Sequence, residues 1–241
     1  MNVMDFFVNV AENGGGKLIF VAGSTAAGKT ALMTLTAKAL TSCGVPVGYF
    51  SLEMPCEQLA KKMMLSYARL DEDKLIFSTE LQCAGGITQE FIDDILHLAK
   101  SPLYVVDTAA ITINDLQEKA KLLVEQSNVK LIIIDYGQLI KEFLPYGDKN
   151  RLFERLRNIA VELNVPIVVL LQFTSGYRCA GYESDFVRVL GDNVTWEDCA
   201  DSFVMLSRMK DSYVTDIKIA DKSDSKRIEE LKKKRQITPS P

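Results

Sequence analysis

Short apolar runs alternate along the chain with longer stretches in which apolar residues recur every three or four positions. The short runs predict β-strands at 17–22, 47–52, 103–106, 130–135, 167–171, 202–207 and 214–220. The amphipathic stretches predict helices near 3–12, 29–42, 56–69, 88–100, 113–127 and 150–163. Alternation of this kind predicts an α/β fold with right-handed crossovers.

Two central runs are apolar at every position instead of at alternate ones. They read LIII at 131–134 and IVVLL at 167–171. Strands of this kind are typical of a parallel sheet that helices cover on both faces. The pattern therefore predicts a three-layer α/β fold with a mostly parallel central sheet. The stretch 173–196 is polar and poor in strand signal, which indicates a functional or mobile loop.

The bulk properties are those of one large globular domain. The chain has 241 residues, 47% of them hydrophobic and 25% charged, which suffices for a full core. No apolar run approaches the roughly 18 residues of a membrane span, and the N-terminus lacks the basic region of a signal peptide. Five scattered cysteines without a CxxC pair fit reduced thiols and argue against zinc. We therefore expect a cytoplasmic protein without membrane contact, in which His97 is an ordinary surface or boundary residue.

Charge is distributed unevenly along the chain. The net charge of −4 argues against nucleic-acid binding by bulk electrostatics, although a local basic groove is compatible with it. Lysine and arginine crowd the C-terminal end. We interpret 1–16 as a short N-terminal helical segment, 17–222 as the main domain and 223–241 as a basic tail. A solvated, partly disordered helix is the favoured interpretation of that tail, with a DNA contact as the alternative.

A candidate phosphate-binding loop follows the first predicted strand. Residues 23–30 read GSTAAGKT, and a strand that leads through a glycine-rich turn into a helix is the setting of a P-loop. Its backbone amides and the helix N-terminus point at phosphate oxygens. Lys29 is predicted to reach the β/γ-phosphates and the Thr30 hydroxyl to hold magnesium. The predicted nucleotide-binding residues of the loop are Gly23, Ser24, Thr25, Ala26, Ala27, Gly28, Lys29 and Thr30.

Three polar residues stand at the ends of other predicted strands. Asp135 ends the run LIIID, where a carboxylate reaches the magnesium shell of a bound nucleotide. Glu53 closes the next strand-like segment, where it either polarises an attacking water or is a surface or capping residue. Gln172 follows IVVLL and either contacts the γ-phosphate or is a polar strand end.

Several segments together resemble the C-terminal motor domain of the DnaB-type replicative helicases, in the RecA-like ATPase superfamily. The segments are FSLEMPCEQL (50–59), PLYVVDTAAITINDLQEKAK (102–121), KLIIIDYGQLI (130–140), RLRNIAVELNVPIVVLLQ (155–172) and WEDCADSFVMLSR (196–208). They occur in the family's order and at its spacing. With the P-loop they cover roughly residues 17–220, and they are more specific than the P-loop alone.

The resemblance implies roles for individual residues. Glu53 matches the family's catalytic glutamate, Asp135 its Walker B aspartate and Gln172 its γ-phosphate-sensing glutamine. Gln138 lies in the DYxQL signature, where it implies a coupling role. Arg208 matches an arginine near the nucleotide at the end of a later strand.

The resemblance also implies cofactors and partners. Members bind ATP and Mg²⁺ between subunits, form homo-oligomeric rings of six, and pull single-stranded DNA through a central channel. Replication proteins such as a loader and primase are expected partners. The implied fold of 17–222 is a RecA-like ATPase domain.

The sequence departs from the family pattern near its N-terminus and near its C-terminus. The family's full-length helicases carry a further N-terminal domain, whereas residues 1–16 precede the first predicted strand here, as in a compact phage or mobile-element version. The segment 3–12 docks either on a neighbouring subunit or on its own domain. The family's KxR pattern, which reaches the neighbour's phosphates, is replaced by IADKSDSKR (219–227). Direct register puts Asp221 and Ser223 there, so the candidate trans-acting residues, after a shift in register, are Lys222, Lys226 and Arg227.

The channel loop is altered as well. The family's DLRxSGxIEQDAD stretch becomes VLGDNVTWEDCAD (189–201), and Gly191 replaces its arginine. Basic residues interleaved with aromatic ones suit phosphate contact and base stacking. The candidate DNA contacts are Arg178, Arg188, Tyr177 and Tyr182, with a solvent-exposed loop as the alternative.

The leading hypothesis is an ATP-dependent DNA helicase of the DnaB replicative type, which translocates on single-stranded DNA as a ring. The alternative is a helicase-like ATP-binding regulatory or accessory protein with little or no unwinding activity. The altered 221–223 and 189–201 segments and the acidic net charge motivate that alternative. A recombination or clock-type ATPase of the same superfamily is a third hypothesis, which the SLEMP and IDYxQL signatures disfavour.

Overall fold

The computed structural model describes residues 2–68, 96–143, 149–173, 199–208 and 215–221. The helices are α1 (Val3–Asn13), α2 (Lys29–Ser42), α3 (Cys56–Ala68), α4 (Ile113–Ser127) and α5 (Lys149–Leu163), with further helical residues at 96–100 and a 3-10 turn at Gly137–Leu139. The strands are β1 (Leu18–Ser24), β2 (Val47–Ser51), β3 (Leu103–Asp107), β4 (Leu131–Asp135), β5 (Ile167–Phe173), β6 (Ser202–Arg208) and β7 (Thr215–Asp221).

The strands form one seven-stranded sheet in the order β3-β2-β4-β5-β1-β6-β7. All neighbouring pairs are parallel except β6 and β7, which are antiparallel. One buried apolar cluster joins the sheet to α4 and α5, and a second joins the opposite face to α1, α2 and α3. The prediction of a three-layer α/β fold with a mostly parallel sheet is confirmed.

The central strands are apolar at every position because helices cover both of their faces. In β1, Phe20 points into the cluster under α5, whereas Ile19 and Val21 point into the cluster under α2. Each is fully buried. Burial of such a side chain is worth about 1.5–3 kcal/mol, so the central strands carry much of the folding energy.

Helix α1 packs on its own domain. The Asn2 side chain caps it by accepting a hydrogen bond from Met4 N at 3.2 Å. Phe6, Phe7 and Val10 are buried in the cluster that contains α2. Of the two interpretations of the segment 3–12, the structure supports packing within the chain. The division into 1–16, 17–222 and 223–241 stays a prediction.

Asp201 makes hydrogen bonds to two neighbouring elements at the amino edge of the sheet, where the parallel strands begin. Asp201 precedes β6, and its Oδ2 accepts a hydrogen bond from Leu18 N at 2.9 Å while its own N–H donates to Leu18 O at 2.8 Å. Its other carboxylate oxygen accepts from Arg157 Nη2 on α5. Asp201 therefore ties β1, β6 and α5 together at the edge opposite the P-loop.

The predicted strand and helix positions agree with the structure where residues are described. β1 runs two residues beyond the apolar stretch because Gly23 and Ser24 continue the pairing with β5. His97 lies exposed in the helical residues 96–100, as expected for a surface residue. Most of the predicted loop 173–196 falls outside the described residues. Among the helices that the structure describes, none has the length and apolar character needed to cross a membrane.

Candidate nucleotide-binding site

The sheet order brings the predicted site residues to one edge. Parallel strands present their carboxyl ends on the same side, and ligands of open α/β sheets bind outside that edge. Along the edge, Glu53 follows β2, Asp135 ends β4, Gln172 lies near the end of β5 and the P-loop follows β1. β5, which lies between β4 and β1, thus sets Gln172 between the Walker B candidate and the P-loop.

The P-loop backbone takes conformations and approaches that favour glycine. Gly28 has φ of 91° and begins α2 without any side-chain cap. A Cβ on Gly23 would lie 2.6 Å from Leu206 O and 3.1 Å from the Cβ of Ala27, because β6 runs directly beside the loop. The uncapped first turn of α2 leaves backbone N–H groups that no helix carbonyl can satisfy. These groups and the helix dipole form an anion-binding position.

Lys29 is buried beneath the loop, only 2% exposed. Its Nζ donates to Gly23 O at 2.9 Å and to Ser24 O at 2.7 Å, and lies 5.5 Å from the centre of the Tyr136 ring. Burial lowers the pKa of Lys29 to about 8, and the negative charges of Asp135 and Glu53 oppose that shift. The ammonium is thus partly desolvated and held by carbonyl oxygens that phosphate oxygens can replace.

Asp135 is buried and bonded through both carboxylate oxygens. Oδ2 accepts from the Tyr49 hydroxyl at 2.7 Å, and Oδ1 accepts from Thr30 Oγ1 at 3.4 Å. Thr30 Oγ1 also lies 3.3 Å from Tyr136 Oη. Burial raises the pKa of Asp135, and the hydrogen bonds from Tyr49 and Thr30 act against that rise. One carboxylate oxygen therefore faces the P-loop threonine while the other faces the interior.

Glu53 is exposed at the mouth of the site, in a turn that several bonds hold. Leu52 N donates to Asp135 O at 2.8 Å, and Ser51 Oγ donates to Met54 O at 2.6 Å. Just beyond the turn, Cys56 N at the start of α3 donates to Asp107 Oδ2 at 2.7 Å. Burial raises the pKa of Asp135 and lowers that of Lys29; the charge of Glu53 adds to the first shift and opposes the second, so Glu53 lies within electrostatic reach of both.

Gln172 connects β5 to the P-loop. Its Nε2 donates to Thr25 Oγ1 at 2.8 Å, and its backbone carbonyl accepts from Gln138 Nε2 at 2.9 Å. Gln138 Oε1 is buried, with no hydrogen-bond partner within the described part of the chain. Two successive hydrogen bonds, from Gln138 to Gln172 and from Gln172 to Thr25, therefore link the turn after β4 to the phosphate-binding loop.

Of the remaining positions singled out in the sequence, the structure describes Arg208 and Asp221. Arg208 ends β6 at the same edge as the P-loop, since Leu206 pairs with Gly23. Asp221 ends the antiparallel β7 at the opposite edge, where its carboxylate accepts from Ser202 Oγ at 2.7 Å. The candidate DNA contacts and trans-acting residues lie outside the described residues; they are Arg178, Arg188, Tyr177, Tyr182, Lys222, Lys226 and Arg227.

Sequence reasoning missed two residues that support the site. Tyr49 holds Asp135, and Asp107 holds the helix start after Glu53. Tyr49 had a signal in the sequence, because a tyrosine in a wholly buried strand needs a partner for its hydroxyl. Asp107 also had one, because it is a carboxylate that ends a strand of the parallel sheet.

The donor set fits a magnesium ion accompanied by a nucleotide. No group of three or more His, Cys, Asp or Glu side chains that could hold a metal occurs among the described residues. Magnesium is usually held by one or two protein oxygens together with phosphates and water. Thr30 Oγ1 and Asp135 Oδ1 supply such a pair beside the uncapped N-terminus of α2.

A protein-family model matches nearly the whole of this chain. The DnaB-like helicase C-terminal domain family matches residues 10–237, nearly the entire chain. The chain belongs to this family. The match includes the P-loop, the SLEMP turn and the segments that end in Asp135 and Gln172. Membership implies use of a nucleotide and a metal ion in general terms.

Several curated relatives in this family are named replicative helicases. A probable replicative DNA helicase of Trieres chinensis is 29% identical over 79% of this chain and 43% of its own length. The replicative DNA helicase DnaB of Haemophilus influenzae is 30% identical over 79% of this chain and 42% of its own length. The replicative DNA helicase DnaC of Bacillus subtilis is 30% identical over 66% of this chain and 36% of its own length. The chain spans less than half the length of each of these relatives.

Solved structures share the fold. One solved chain, described as an ATPase domain, superposes with a TM-score of 0.74 and 21% identity, covering 86% of this chain and 78% of that one. A DnaB-like replicative helicase, described with its interactions with primase, superposes with a TM-score of 0.69 and 19% identity, over 85% of this chain and 54% of that one. The RecA-like fold expected from the sequence is thereby confirmed.

Proposed function

We propose that this chain is an ATP-hydrolysing motor domain of the replicative DNA helicase type. It would couple hydrolysis to movement along single-stranded DNA as a ring of six subunits. One observation carries this proposal: Lys29, Thr30, Asp135 and Gln172 converge on the P-loop edge, with Glu53 in electrostatic reach. Because the chain belongs to a helicase family, we assign ATP hydrolysis to this arrangement.

Each residue has a role that its position supports. The N–H groups of Ser24–Thr30 and the Lys29 ammonium would bind the phosphates of ATP. Thr30 Oγ1 and Asp135 Oδ1 would hold Mg²⁺, which when bound neutralises charge on the phosphates. Glu53 would accept a proton from the attacking water, because an exposed carboxylate at the mouth of the site is open to both water and substrate.

Coupling to DNA would run through Gln172. Its Nε2 donates a hydrogen bond to Thr25 Oγ1 at 2.8 Å. Its backbone continues in sequence into the segment that carries the candidate DNA contacts. A γ-phosphate at the P-loop would compete with Thr25 for that amide. We propose Arg178, Arg188, Tyr177 and Tyr182 as contacts to single-stranded DNA.

We also propose the assembly partners. Names of curated relatives support a role in DNA replication, and one solved relative is described with primase. For this chain we propose a homohexamer, with a loader and primase as partners and a cytoplasmic location. Arg208 would contact its own nucleotide, and Lys222, Lys226 or Arg227 that of a neighbour.

Phosphate release from Mg²⁺–ATP by the purified chain, with and without single-stranded DNA, tests the motor proposal. Glu53→Gln is expected to lower kcat by about 10²–10⁴, the usual worth of a general base, while nucleotide affinity stays unchanged. Glu57→Gln, an exposed carboxylate in the first turn of α3, is the matched control and should behave as wild type. Absence of hydrolysis by the wild type under both conditions would contradict the proposal.

The binding-only alternative rests on one observation at β7. Register puts Asp221 where the family has a cation, and its carboxylate is engaged with Ser202 within the sheet. An ATP-binding accessory protein would tolerate this change, because it needs no trans-acting cation. Under that alternative Glu53→Gln leaves every measurable function intact. The mass of the complex in ATP and single-stranded DNA, six chains or one, separates the two hypotheses further.

A further inference from the structure

Tyr49 is a buried phenol in the middle of β2, whose other residues before Ser51 carry no polar side chain. It lies in the middle of β2 with 0% exposure, on the face of the sheet that α2 covers. Buried tyrosine hydroxyls find hydrogen-bond partners, and this one donates to Asp135 Oδ2 at 2.7 Å. An ordinary phenol keeps its proton at neutral pH, so this hydroxyl acts as a fixed donor to the carboxylate.

The pairing of the strands explains why these two residues meet. β2 and β4 are parallel neighbours, and Ser51 stands opposite Asp135 in the register. Tyr49 lies two residues before Ser51 and so on the same face, within diagonal reach of the aspartate for a long aromatic side chain. Asp135 in turn is 1% exposed, so bulk water does not replace this donor.

The two oxygens of Asp135 consequently differ. Oδ2 accepts a short bond from inside the core, whereas among the described residues Oδ1 has just the long 3.4 Å contact with Thr30 Oγ1 at the P-loop. Rotation of the carboxylate about its terminal bond would exchange the oxygens, and the Tyr49 bond opposes that rotation. The carboxylate is held with one oxygen toward the nucleotide side.

We propose that Tyr49 is a positioning residue that limits Asp135 to one-oxygen ligation of the metal and thereby favours Mg²⁺ over Ca²⁺. Magnesium is small and strictly octahedral and binds few protein oxygens, whereas calcium accepts bidentate carboxylates and more ligands. Bidentate ligation would need Oδ2 to turn toward the metal while it accepts from Tyr49, so the Tyr49 bond opposes the bidentate mode. The inference rests on the proposed function, because the metal enters together with a nucleotide at the P-loop.

Tyr49→Phe tests it, since the change removes one hydroxyl and leaves the ring that fills the core. The probe is a fluorescent, non-hydrolysable ATP analogue titrated in EDTA, in Mg²⁺ and in Ca²⁺, with Mn²⁺ affinity read by paramagnetic resonance. In EDTA the variant should bind the analogue as wild type does. Its Mg²⁺ affinity should fall by about 10–100-fold, the usual effect of losing a residue that orients a metal ligand, and its Ca²⁺ affinity by less.

Tyr104→Phe is the matched control. Tyr104 is a half-buried tyrosine of β3 packed on the opposite face of the sheet, and its change should leave both affinities unaltered. A Tyr49→Phe protein with wild-type Mg²⁺ affinity and an unchanged Mg²⁺/Ca²⁺ ratio would overturn the inference. If wild type binds no analogue in any metal, the proposed function fails and the inference falls with it.

A measurement on wild type covers the case in which Tyr49→Phe does not fold. A metal held at Oδ1 would draw charge from the carboxylate and so would weaken the bond that Tyr49 donates to Oδ2. The ¹³Cζ NMR signal of Tyr49 should therefore shift when Mg²⁺ is added to the nucleotide-loaded protein, while that of Tyr104 should not. A Tyr49 signal that stays in place as Mg²⁺ saturates the site would overturn the inference.

Discussion

Gln172 and Thr25 join the end of β5 to the phosphate-binding loop through a single hydrogen bond of 2.8 Å from Nε2 to Oγ1. The two residues are far apart in sequence, and β5 reaches the loop because it pairs with β1 along its full length. The bond occupies the side-chain amide that we propose senses the γ-phosphate. Nucleotide binding and release of Gln172 from Thr25 are therefore expected to be linked.

Gln172→Ala is expected to lower DNA-stimulated ATP hydrolysis by about 10²-fold, the lower end of the loss when a donor to the transition state is removed. Nucleotide affinity should change little, because Lys29 and the loop amides remain. Thr25→Ala removes only the resting partner of the amide. A neutral bond is worth about 1 kcal/mol, so the stimulated rate should stay within about fivefold of wild type. Equal losses in the two variants, measured by phosphate release, would contradict a direct role for Gln172.

Gly23→Ala should disable nucleotide binding through the backbone of the neighbouring strand. The added Cβ would lie 2.6 Å from Leu206 O, so β6 or the loop must shift. Overpacking of this kind costs about 1–3 kcal/mol, measurable by urea unfolding. Gly44→Ala is the control, because Gly44 has φ of 78° and follows α2 at the end away from the loop, and no atom of the described residues lies within 4 Å of its Cβ position. It should lose stability and still bind nucleotide as wild type does.

Asp107→Asn should slow hydrolysis without weakening nucleotide binding. Asp107 accepts from Cys56 N at 2.7 Å and so fixes the start of α3, three residues after Glu53. A displaced base is expected to cost about 10-fold or more in kcat, because small misplacements of catalytic groups are costly. Asp115→Asn is the control, an exposed carboxylate that accepts from the Thr112 hydroxyl at 2.7 Å at the start of α4 rather than from α3. An unchanged kcat in Asp107→Asn would show that α3 needs no such anchor.

Asp201→Ala should destabilise the fold while leaving the site intact. It removes the acceptor of both Leu18 N and Arg157 Nη2 at the amino edge of the sheet. Hydrogen bonds to charged groups contribute about 1.5–3 kcal/mol each, so a loss of about 3 kcal/mol in the free energy of unfolding is expected. Glu125→Ala breaks the exposed pair with Lys121 and should cost at most about 0.5 kcal/mol. If the folded Asp201→Ala protein lost nucleotide affinity, the bonds at the amino edge of the sheet would also support the nucleotide site at the carboxyl edge, and the prediction would be wrong.

Much of the fold follows from local patterns. Continuous apolar runs such as LIII and IVVLL predict strands covered on both faces, and the two helical layers confirm it. The glycine-rich turn before α2 is recognisable because its chemistry is contained in consecutive residues. The supporting residues were harder to predict. Tyr49 and Asp135 are 86 positions apart, and Cys56 and Asp107 are 51 positions apart. Their contacts depend on strand order, which local periodicity does not encode.

By itself the sequence determined the residue types of the site, the strand that carries each and the family. A P-loop, a carboxylate after LIII and a glutamine after IVVLL are local signals, since each depends on backbone geometry within one element. Only the tertiary structure decided which of these residues are neighbours and in what order. In the sheet, β5 lies between β4 and β1. β7 runs antiparallel to β6, so Asp221 lies at the edge opposite the P-loop. β2 pairs with β4, and this pairing brings the Tyr49 hydroxyl to Asp135. Pairing between distant strands is a property of the whole core, because each strand is stabilised by the burial of both its faces against elements far away in the chain.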